Sequence, residues 1–275
     1  MWYFNSALDR FFDLMLTPFE SLHPFWLLLI FSLIMGIIMI VIFRYTSNQK
    51  GIKETKEQIK AHLLEIRLFK DDLRVLFSAQ RRFLLYNLKY MKHALKPMLF
   101  MIVPVSIVLI QLAGWFEYRP LKPGESAVVS IKLADSDMDA FSNIAIQSNG
   151  GLTVETPPLR IPDEREVDWR IRADEIGDHN LTFSILGYTF QKRVIVSNGR
   201  IVRVSPRVVA LSFWDTLLNP GEEPIAKNSL VKRIEVNYPS RSIEIFGWRI
   251  HWLLAFFVLS IVFGYAFRGF FRVEI

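Results

Sequence analysis

The chain has 275 residues, of which 51% are hydrophobic, and it carries a formal net charge of +6 without a single cysteine. The absence of cysteine excludes disulfides and thiolate metal sites. The hydrophobic residues are concentrated in separate uncharged runs, so hydropathy divides the chain differently from the two ordinary domains that its length alone would allow.

The first 23 residues begin with an amphipathic pattern. Across residues 2–16, apolar residues at helical spacing oppose polar and charged ones: Phe4, Leu8, Phe11, Phe12 and Met15 against Asn5, Ser6, Asp9, Arg10 and Asp13. Residues 1–23 are therefore predicted to contain a helix of about four turns that lies in the membrane interface. A helix packed on a neighbouring domain is the alternative. No basic n-region or small-x-small site precedes the first apolar run, so we expect no removable signal peptide.

Three apolar runs are candidates for membrane spans, namely residues 24–44, 97–117 and 248–268. The first two contain no charge between Phe25 and Phe43 or between Pro97 and Phe116, and a span needs about 20 apolar residues. The apolar part of the third run, Ile250 to Phe267, is shorter, and Trp248 and Trp252 lie at its start, a residue type enriched where membrane and water meet. The sequence thus predicts a protein with three transmembrane helices.

Residues 45–96 predict a helical hairpin between the first two spans. Ile52, Ile59 and Ile66 recur every seven residues, and a turn is expected between Phe69 and Asp72. A single bent helix is the alternative, but a hairpin is favoured because both neighbouring spans must meet the same membrane face. In an antiparallel coiled coil, the second helix is expected to bury Leu73, Leu76 or Phe77, Leu84, Leu88, and Met91 or Leu95.

The distribution of charge predicts which side of the membrane each segment occupies. Residues 44–96 contain 13 Lys/Arg against five Asp/Glu, whereas residues 117–248 contain 16 against 18. Because short cytoplasmic loops carry the Lys/Arg excess, we expect the hairpin and the tail 269–275 in the cytoplasm. The N-terminus and residues 118–247 are then periplasmic or extracellular, and a bacterial inner membrane is the expected location. The net charge is first a topology signal and only secondarily a sign of a nucleic-acid partner.

Residues 118–247 show short alternating segments separated by turn-forming Gly, Pro and Asn residues. This pattern predicts an all-β, immunoglobulin-like sandwich domain inserted into the membrane α-helical framework. The expected strands cover residues 126–133, 141–147, 166–173, 180–185, 189–196, 201–204, 231–236 and 242–246.

No catalytic, metal-binding or cofactor motif is evident in the sequence. Asp135, Asp137 and Asp139 alternate as at the start of a calcium loop, but Ala140 and Ile146 stand where that loop requires Gly and a bidentate Glu. The five histidines are scattered and lack metal-ligand spacing. We therefore expect no enzymatic activity, no metal and no cofactor.

Two groups of residues are candidates for contact with another polypeptide. Polar groups at membrane depth are costly, so they face protein or water; ordinary helix packing is the alternative to a client groove. The groove candidates are Arg44, Ser32, Ser106, Gln111, Ser260 and Tyr265, of which Arg44 is better explained as a positive-inside anchor. On the hairpin, where basic residues attract anionic lipid or phosphate, the contact candidates are Phe77, Phe83, Tyr86, Tyr90, Arg81 and Arg82.

The order of these elements resembles the YidC/Oxa/Alb superfamily of membrane protein insertases. The most similar members are its compact three-span proteins, the archaeal YidC-like proteins and the insertase subunits of the endoplasmic reticulum membrane complex. The resemblance rests on topology and on residues 44–97, covers about half of the chain, and leaves the β-domain as an addition. In the bacterial branch a groove arginine lies within the first core span, whereas Arg44 lies at the end of that span.

The resemblance implies an insertase or insertase-like chaperone. It would guide client helices into the bilayer through a polar intramembrane groove, with capture by the cytoplasmic hairpin. The implied partners are membrane lipids, newly made membrane proteins, and a ribosome or translocon. The alternative is a membrane-anchored adaptor or scaffold whose exported β-domain binds a ligand or a protein partner.

Overall fold

The protein is a mixed fold of helices and antiparallel sheets. A computed structural model describes residues 2–20, 22–69, 71–134, 141–199, 201–245 and 247–273. The chain divides into two compact units. The helical unit comprises residues 28–108 and 253–275, and the β unit comprises residues 1–27 and 109–252.

In the described residues, the helical unit is built mainly from four helices, of which two are long and apolar enough to cross a membrane. Helix α4 is a single element of 44 residues, so the second half of the predicted hairpin and the second predicted span form one helix. Helix α6 is apolar but has only 16 residues. The bounds are α2, Pro24–Thr46; α3, Gln49–Leu68; α4, Leu73–Phe116; and α6, Trp252–Phe267.

Side-chain caps mark the starts of both hairpin helices, and the Asp72 cap lies at the tip, which turns without Gly or Pro. Asn48 precedes α3, and its Oδ1 accepts a hydrogen bond of 3.0 Å from the Gly51 backbone N–H. Asp72 precedes α4, and its Oδ1 accepts from the Arg74 N–H at 3.0 Å and from the Val75 N–H at 3.3 Å. Each cap satisfies amides that lack partners in the first helical turn. Lys70, at the predicted tip, lies outside the described residues.

The predicted seam is largely wrong on the second helix of the hairpin, whereas on the first helix the predicted Ile52 is buried. Of the leucines expected to be buried, Leu84, Leu88 and Leu95 are more than half exposed, as are Phe77 and Met91. Leu76 is half-buried, and the side chain of Leu73 lies outside the described part of the chain. The actual seam consists of Ile52, Thr55 and His62 on α3, all buried, and of buried Ala79 with half-buried Phe83, Tyr86 and Tyr90 on α4.

The error has a physical cause, because α4 carries two apolar stripes with the same heptad spacing. The stripe that includes Ala79, Phe83, Tyr86 and Tyr90 is used, and the His62 ring stacks on Tyr86 with centroids 5.3 Å apart. Periodicity reveals that a stripe exists but cannot tell which of two stripes meets the partner helix.

Small residues allow α2 and α6 to approach closely. A Cβ added to Gly36 would lie 2.7 Å from the Ser260 carbonyl oxygen and 3.0 Å from the Gly264 nitrogen. A Cβ on Gly264 would in turn lie 3.5 Å from the Gly36 carbonyl oxygen. Helices of membrane proteins commonly pack through such small-residue contacts.

We expect Gly36→Leu to disrupt this packing. The added side chain has to displace backbone and not merely a flexible side chain, which in a packed core costs about 1–3 kcal/mol. The thermal midpoint of the detergent-solubilised protein should therefore fall. Ile34→Phe, which adds bulk at an exposed position of the same helix, is the control and should have little effect. Equal midpoints for the two variants would contradict the close approach.

The β unit contains two larger antiparallel sheets and a small hairpin. The six-stranded sheet has the order β3-β5-β1-β9-β8, with β4 also paired to β5; the three-stranded sheet has the order β2-β6-β7; and β10 pairs with β11. The strands are β1, Ser126–Leu133; β2, Ile144–Ser148; β3, Leu152–Val154; β4, Leu159–Ile161; β5, Glu166–Ala173; β6, Gly177–Ile185; β7, Tyr188–Val196; β8, Arg207–Val209; β9, Val231–Val236; β10, Ile243–Ile245; and β11, Trp248–Ile250. Helix α1, Trp2–Leu16, and the short helix α5, Phe213–Leu218, complete the unit.

Alternating side chains from both larger sheets fill one core. In β1, Val129 lies opposite Trp169 of β5, and every second residue of β1 is buried. The Trp169 ring packs against Phe183 of β6, with centroids 5.7 Å apart. Because side chains alternate across a strand with a period of two, each sheet presents one apolar face to this core.

Most strand predictions are confirmed to within a few residues, but 201–204 is not a strand. This segment is extended and hydrogen-bonds elsewhere: the Ile201 N–H donates to the Glu20 carbonyl and the Val204 N–H to the Gly114 carbonyl. Strands β3, β4, β8 and β11 were not predicted. Residues Trp248–Ile250, within the third apolar run, pair with β10, so α6 begins only at Trp252.

Candidate functional site

Helix α1 buries a face that carries Asn5, Asp9, Phe12 and Leu16, and the two polar residues bind the rest of the β unit. The Asn5 amide donates a hydrogen bond of 2.5 Å to the Thr216 carbonyl, and Asp9 Oδ2 accepts one of 3.0 Å from the Gly221 N–H. These contacts favour the alternative of a helix packed on a neighbouring domain. Tyr3 and Phe11, on the other side, are more than half exposed, and an interfacial position for that side stays a prediction.

A buried arginine lies where α1 meets the last turns of α4. Arg203 Nη2 lies 2.6 Å from Asp9 Oδ1 and donates to Gln111 Oε1 at 2.5 Å, while Nη1 donates to Asp13 Oδ1 at 3.2 Å. Gly114 makes room for it, since a Cβ there would lie 3.2 Å from Arg203 Nε. We call Arg203, Asp9, Asp13 and Gln111 the arginine centre.

The charges of the arginine centre are unequal, because two carboxylates share one guanidinium. Burial raises the pKa of Asp13, and the neighbouring Asp9 adds to that effect, against the lowering influence of Arg203. The planar guanidinium can donate to several acceptors at once, which suits arginine better than lysine to this position. The centre holds α1, the segment after β7 and the end of α4 together.

The side chain of Lys192 is a second buried charge in the β unit. Lys192 of β7 is fully buried; its Nζ contacts Glu222 and donates to the Ser205 carbonyl at 2.7 Å. Glu222 Oε2 also accepts from the Arg193 N–H at 3.0 Å. Burial lowers the pKa of Lys192, and the attraction of Glu222 opposes this shift.

The loop that contains Gly221 and Glu222 contacts both the arginine centre and Lys192. Its Gly221 donates to Asp9 of the arginine centre, and the next residue, Glu222, pairs with Lys192. Gly221 has a φ of +109°, a conformation that favours glycine. The loop therefore links α1 to strand β7 through two adjacent residues.

The six predicted groove residues occupy different environments. Gln111 is buried and bound to Arg203. Ser32 and Ser260 are also buried, and among the described residues neither hydroxyl has a hydrogen-bond partner. Arg44, Ser106 and Tyr265 are exposed, and the Tyr265 ring centroid lies 3.9 Å from Arg268 Cζ.

For Ser32, Ser260 and Gln111, these positions favour structural packing over a client groove. The Ser260 carbonyl forms part of the close contact with Gly36, and Ser32 lies one turn before Gly36 on α2. Gln111 serves a structural contact within the β unit. Of the six, Ser106 is the polar residue on an exposed face of α4.

The hairpin contact candidates also fall into two groups, one half-buried and one exposed. Phe83, Tyr86 and Tyr90 are half-buried in the seam, whereas Phe77, Arg81 and Arg82 are exposed. An open pocket beside the seam is lined by Gln58, His62, Arg82, Leu85, Tyr86 and Lys89. His62 Nδ1 lies 2.8 Å from Glu65 Oε2, which fixes the ring against Tyr86.

The apolar half of α4 leaves a broad surface uncovered. Met98, Leu99, Phe100, Ile102 and Val103 are all more than half exposed. Pro104 follows, and because it lacks an N–H it cannot donate to the Phe100 carbonyl as a helical residue normally would. The Phe100 carbonyl therefore lacks the hydrogen bond that it would normally accept from residue 104 of the helix.

Sequence reasoning missed Arg203 as a site residue. It placed Asp9 and Asp13 on a polar helical face but had no means of pairing them with a residue about 190 positions later. Arg203 also lay in a predicted strand, where alternation gives no reason to expect a buried charge. Ile201, Val202 and Val204 had supplied the strand signal.

Comparisons with known proteins identify no relative. No family model, no curated protein and no solved structure matches the chain.

Proposed function

We propose that the protein is an insertase-like membrane chaperone. The observation that carries this proposal is the uncovered face of α4 in its apolar half, around Met98, Ile102 and Ser106. A client helix could pack along this face in place of lipid. The Ser106 hydroxyl would give it a polar contact at membrane depth, where such a group is otherwise costly.

The proposal includes a topology and a fold. Helices α2, α4 and α6 cross the bilayer of a bacterial inner membrane, and the hairpin faces the cytoplasm, supported by its excess of Lys and Arg. The β unit is an exported, immunoglobulin-like sandwich. Contact between Gly36 and Ser260 holds α2 against α6, and the exposed face of α4 is left for lipid and client.

Site-specific photocrosslinking tests the insertase proposal. A photoreactive residue at Ser106 should crosslink to stalled nascent chains of small membrane proteins. The control is Val258, which is exposed on α6 and faces no proposed client path. We expect several-fold more client crosslinking from Ser106 than from Val258. Equal yields, or crosslinks from Ser106 only to stable subunits, would contradict insertion along α4.

The second candidate is a membrane-anchored adaptor, and the arginine centre favours it. Within the β unit, Arg203 fixes the segment after β7 both to α1 and, by Gln111, to the end of α4. A ligand that displaced this segment would act directly on a helix that continues into the hairpin. An adaptor would lose a specific exported partner on deletion of residues 120–247, while membrane integration of small proteins would be unchanged.

A further inference from the structure

The hairpin half of α4 carries an apolar stripe that no described part of the chain covers. Its members are between 52% and 67% exposed. At about 100° per residue, their side chains fall within a sector of about 60° on the helix. We call these five residues the leucine stripe: Phe77, Leu84, Leu88, Met91 and Leu95.

The leucine stripe lies on the side of α4 away from α3. The seam residues Ala79, Phe83, Tyr86 and Tyr90 are about half a helical turn away from it around the helix axis. Its spacing alternates in steps of three, four and seven, as in the core positions of a coiled coil. The stripe is thus shaped to receive another helix.

The charges around the leucine stripe have one sign. Arg81 occupies the heptad core position between Phe77 and Leu84, and Arg74 and Lys92 lie beside the stripe. From Leu73 to Phe116 the sequence contains no Asp or Glu. None of the salt bridges found between described residues involves Arg74, Arg81 or Lys92.

We propose that the leucine stripe binds an acidic amphipathic helix of a partner protein. Apolar anchors at i, i+4, i+7 and i+11 suit the groove-binding mode of such helices. Acidic residues on the partner would pair with Arg74 and Lys92, and one acid at its core would meet Arg81. This surface goes beyond the proposed insertion along α4, because it lies in the hairpin and needs no client in the bilayer.

Charge argues against a second copy of the chain as the occupant, and the length of α4 argues against a lipid surface. A second copy of α4 would bring Arg81 and its basic neighbours against the same residues without any acid to pair with them, and like charges at these positions are destabilising. An anionic lipid surface would match the charge. However, α4 continues as a helix through Pro97, so at 1.5 Å per residue its first 24 residues have a length of about 36 Å, and most of the leucine stripe lies several turns before the proposed span.

Designed peptides test the proposal on the full-length protein in neutral nanodiscs. The acidic probe is a labelled three-heptad helix with Leu at its core positions, except for one Glu opposite Arg81, and with Glu beside the core; the matched probe has Lys in place of every Glu. We expect the acidic probe to bind at least tenfold more tightly in fluorescence anisotropy. Leu88→Asn should weaken binding at least tenfold, whereas Leu64→Asn, at an exposed leucine of α3, should not.

Charge reversal separates a specific site from general stickiness. Arg81→Glu should weaken the acidic probe and strengthen the lysine probe, each by about tenfold. Equal binding of both probes, or insensitivity to Leu88→Asn, would overturn the proposal.

Labelling distinguishes the other occupants, since the chain has no native cysteine. Leu88→Cys should stay reactive towards a thiol reagent in anionic and neutral nanodiscs alike. Disulfide-linked dimers would identify a second copy as the occupant, and protection only in anionic nanodiscs would identify lipid. Either result would contradict an acidic helix, and neither would bear on crosslinking from Ser106.

Discussion

Replacing Arg203 with methionine should destabilise the β unit by about 3–5 kcal/mol. The variant leaves Asp9 buried without its cation, and removing one partner of a buried ion pair has a cost of this order. For a unit of this size the thermal midpoint should fall by roughly 10 °C. Circular dichroism of the strand signal in detergent would measure it.

A second substitution should rescue much of the Arg203→Met loss. Asp9→Asn removes the unpaired charge, while its amide oxygen can still accept from the Gly221 N–H. Arg170→Met is the control, because Arg170 is exposed and pairs only at the surface with Glu155; such pairs contribute about 0–1 kcal/mol. A similar loss for the two arginine variants would show that the arginine centre is not the stabilising feature we infer.

Replacing Lys192 with methionine should have the second largest effect, about 3 kcal/mol. The variant leaves the largely buried Glu222 carboxylate without a counter-charge. Adding Glu222→Gln should restore most of the stability, since the glutamine oxygen can still accept from the Arg193 N–H. Lys232→Met, at an exposed position of β9, is the control and should change the free energy of unfolding by less than about 0.5 kcal/mol.

The Lys192 effect should also depend on pH. Burial lowers the pKa of Lys192 below its ordinary value of 10.5. Between the two values the unfolded chain binds more protons than the folded one, so the contribution of Lys192 to stability rises with pH in that window. The difference in unfolding free energy between wild type and Lys192→Met should therefore widen towards pH 10. A difference that shrinks instead would mean that the pKa of Lys192 is raised.

Local pattern was sufficient for much of the fold. Uncharged runs predicted the apolar helices, and alternation predicted strands such as Ser126–Leu133 with correct bounds. Where two interpretations share one pattern, the sequence could not choose. The two heptad stripes of α4 are one example, since Tyr86 and Leu88 are both compatible with a seam.

The arginine centre shows the other limit of sequence reasoning. Asp9 and Asp13 were correctly placed on a polar helical face, but their partner Arg203 is distant in the chain and surrounded by strand-like residues. Gln111 was chosen as a polar residue in a span, and its contact with Arg203 gives it a different role. Long-range pairing of buried charges depends on tertiary packing, which periodicity and composition do not encode.

The loop that carries Gly221 and Glu222 has a consequence for how the protein can change during evolution. Surface loops usually accept insertions and deletions. Here two neighbouring residues are anchored in opposite directions, one to α1 and the other to β7. A single inserted residue between them would put one anchor out of reach, so homologous chains should keep the length of this loop even where its composition varies.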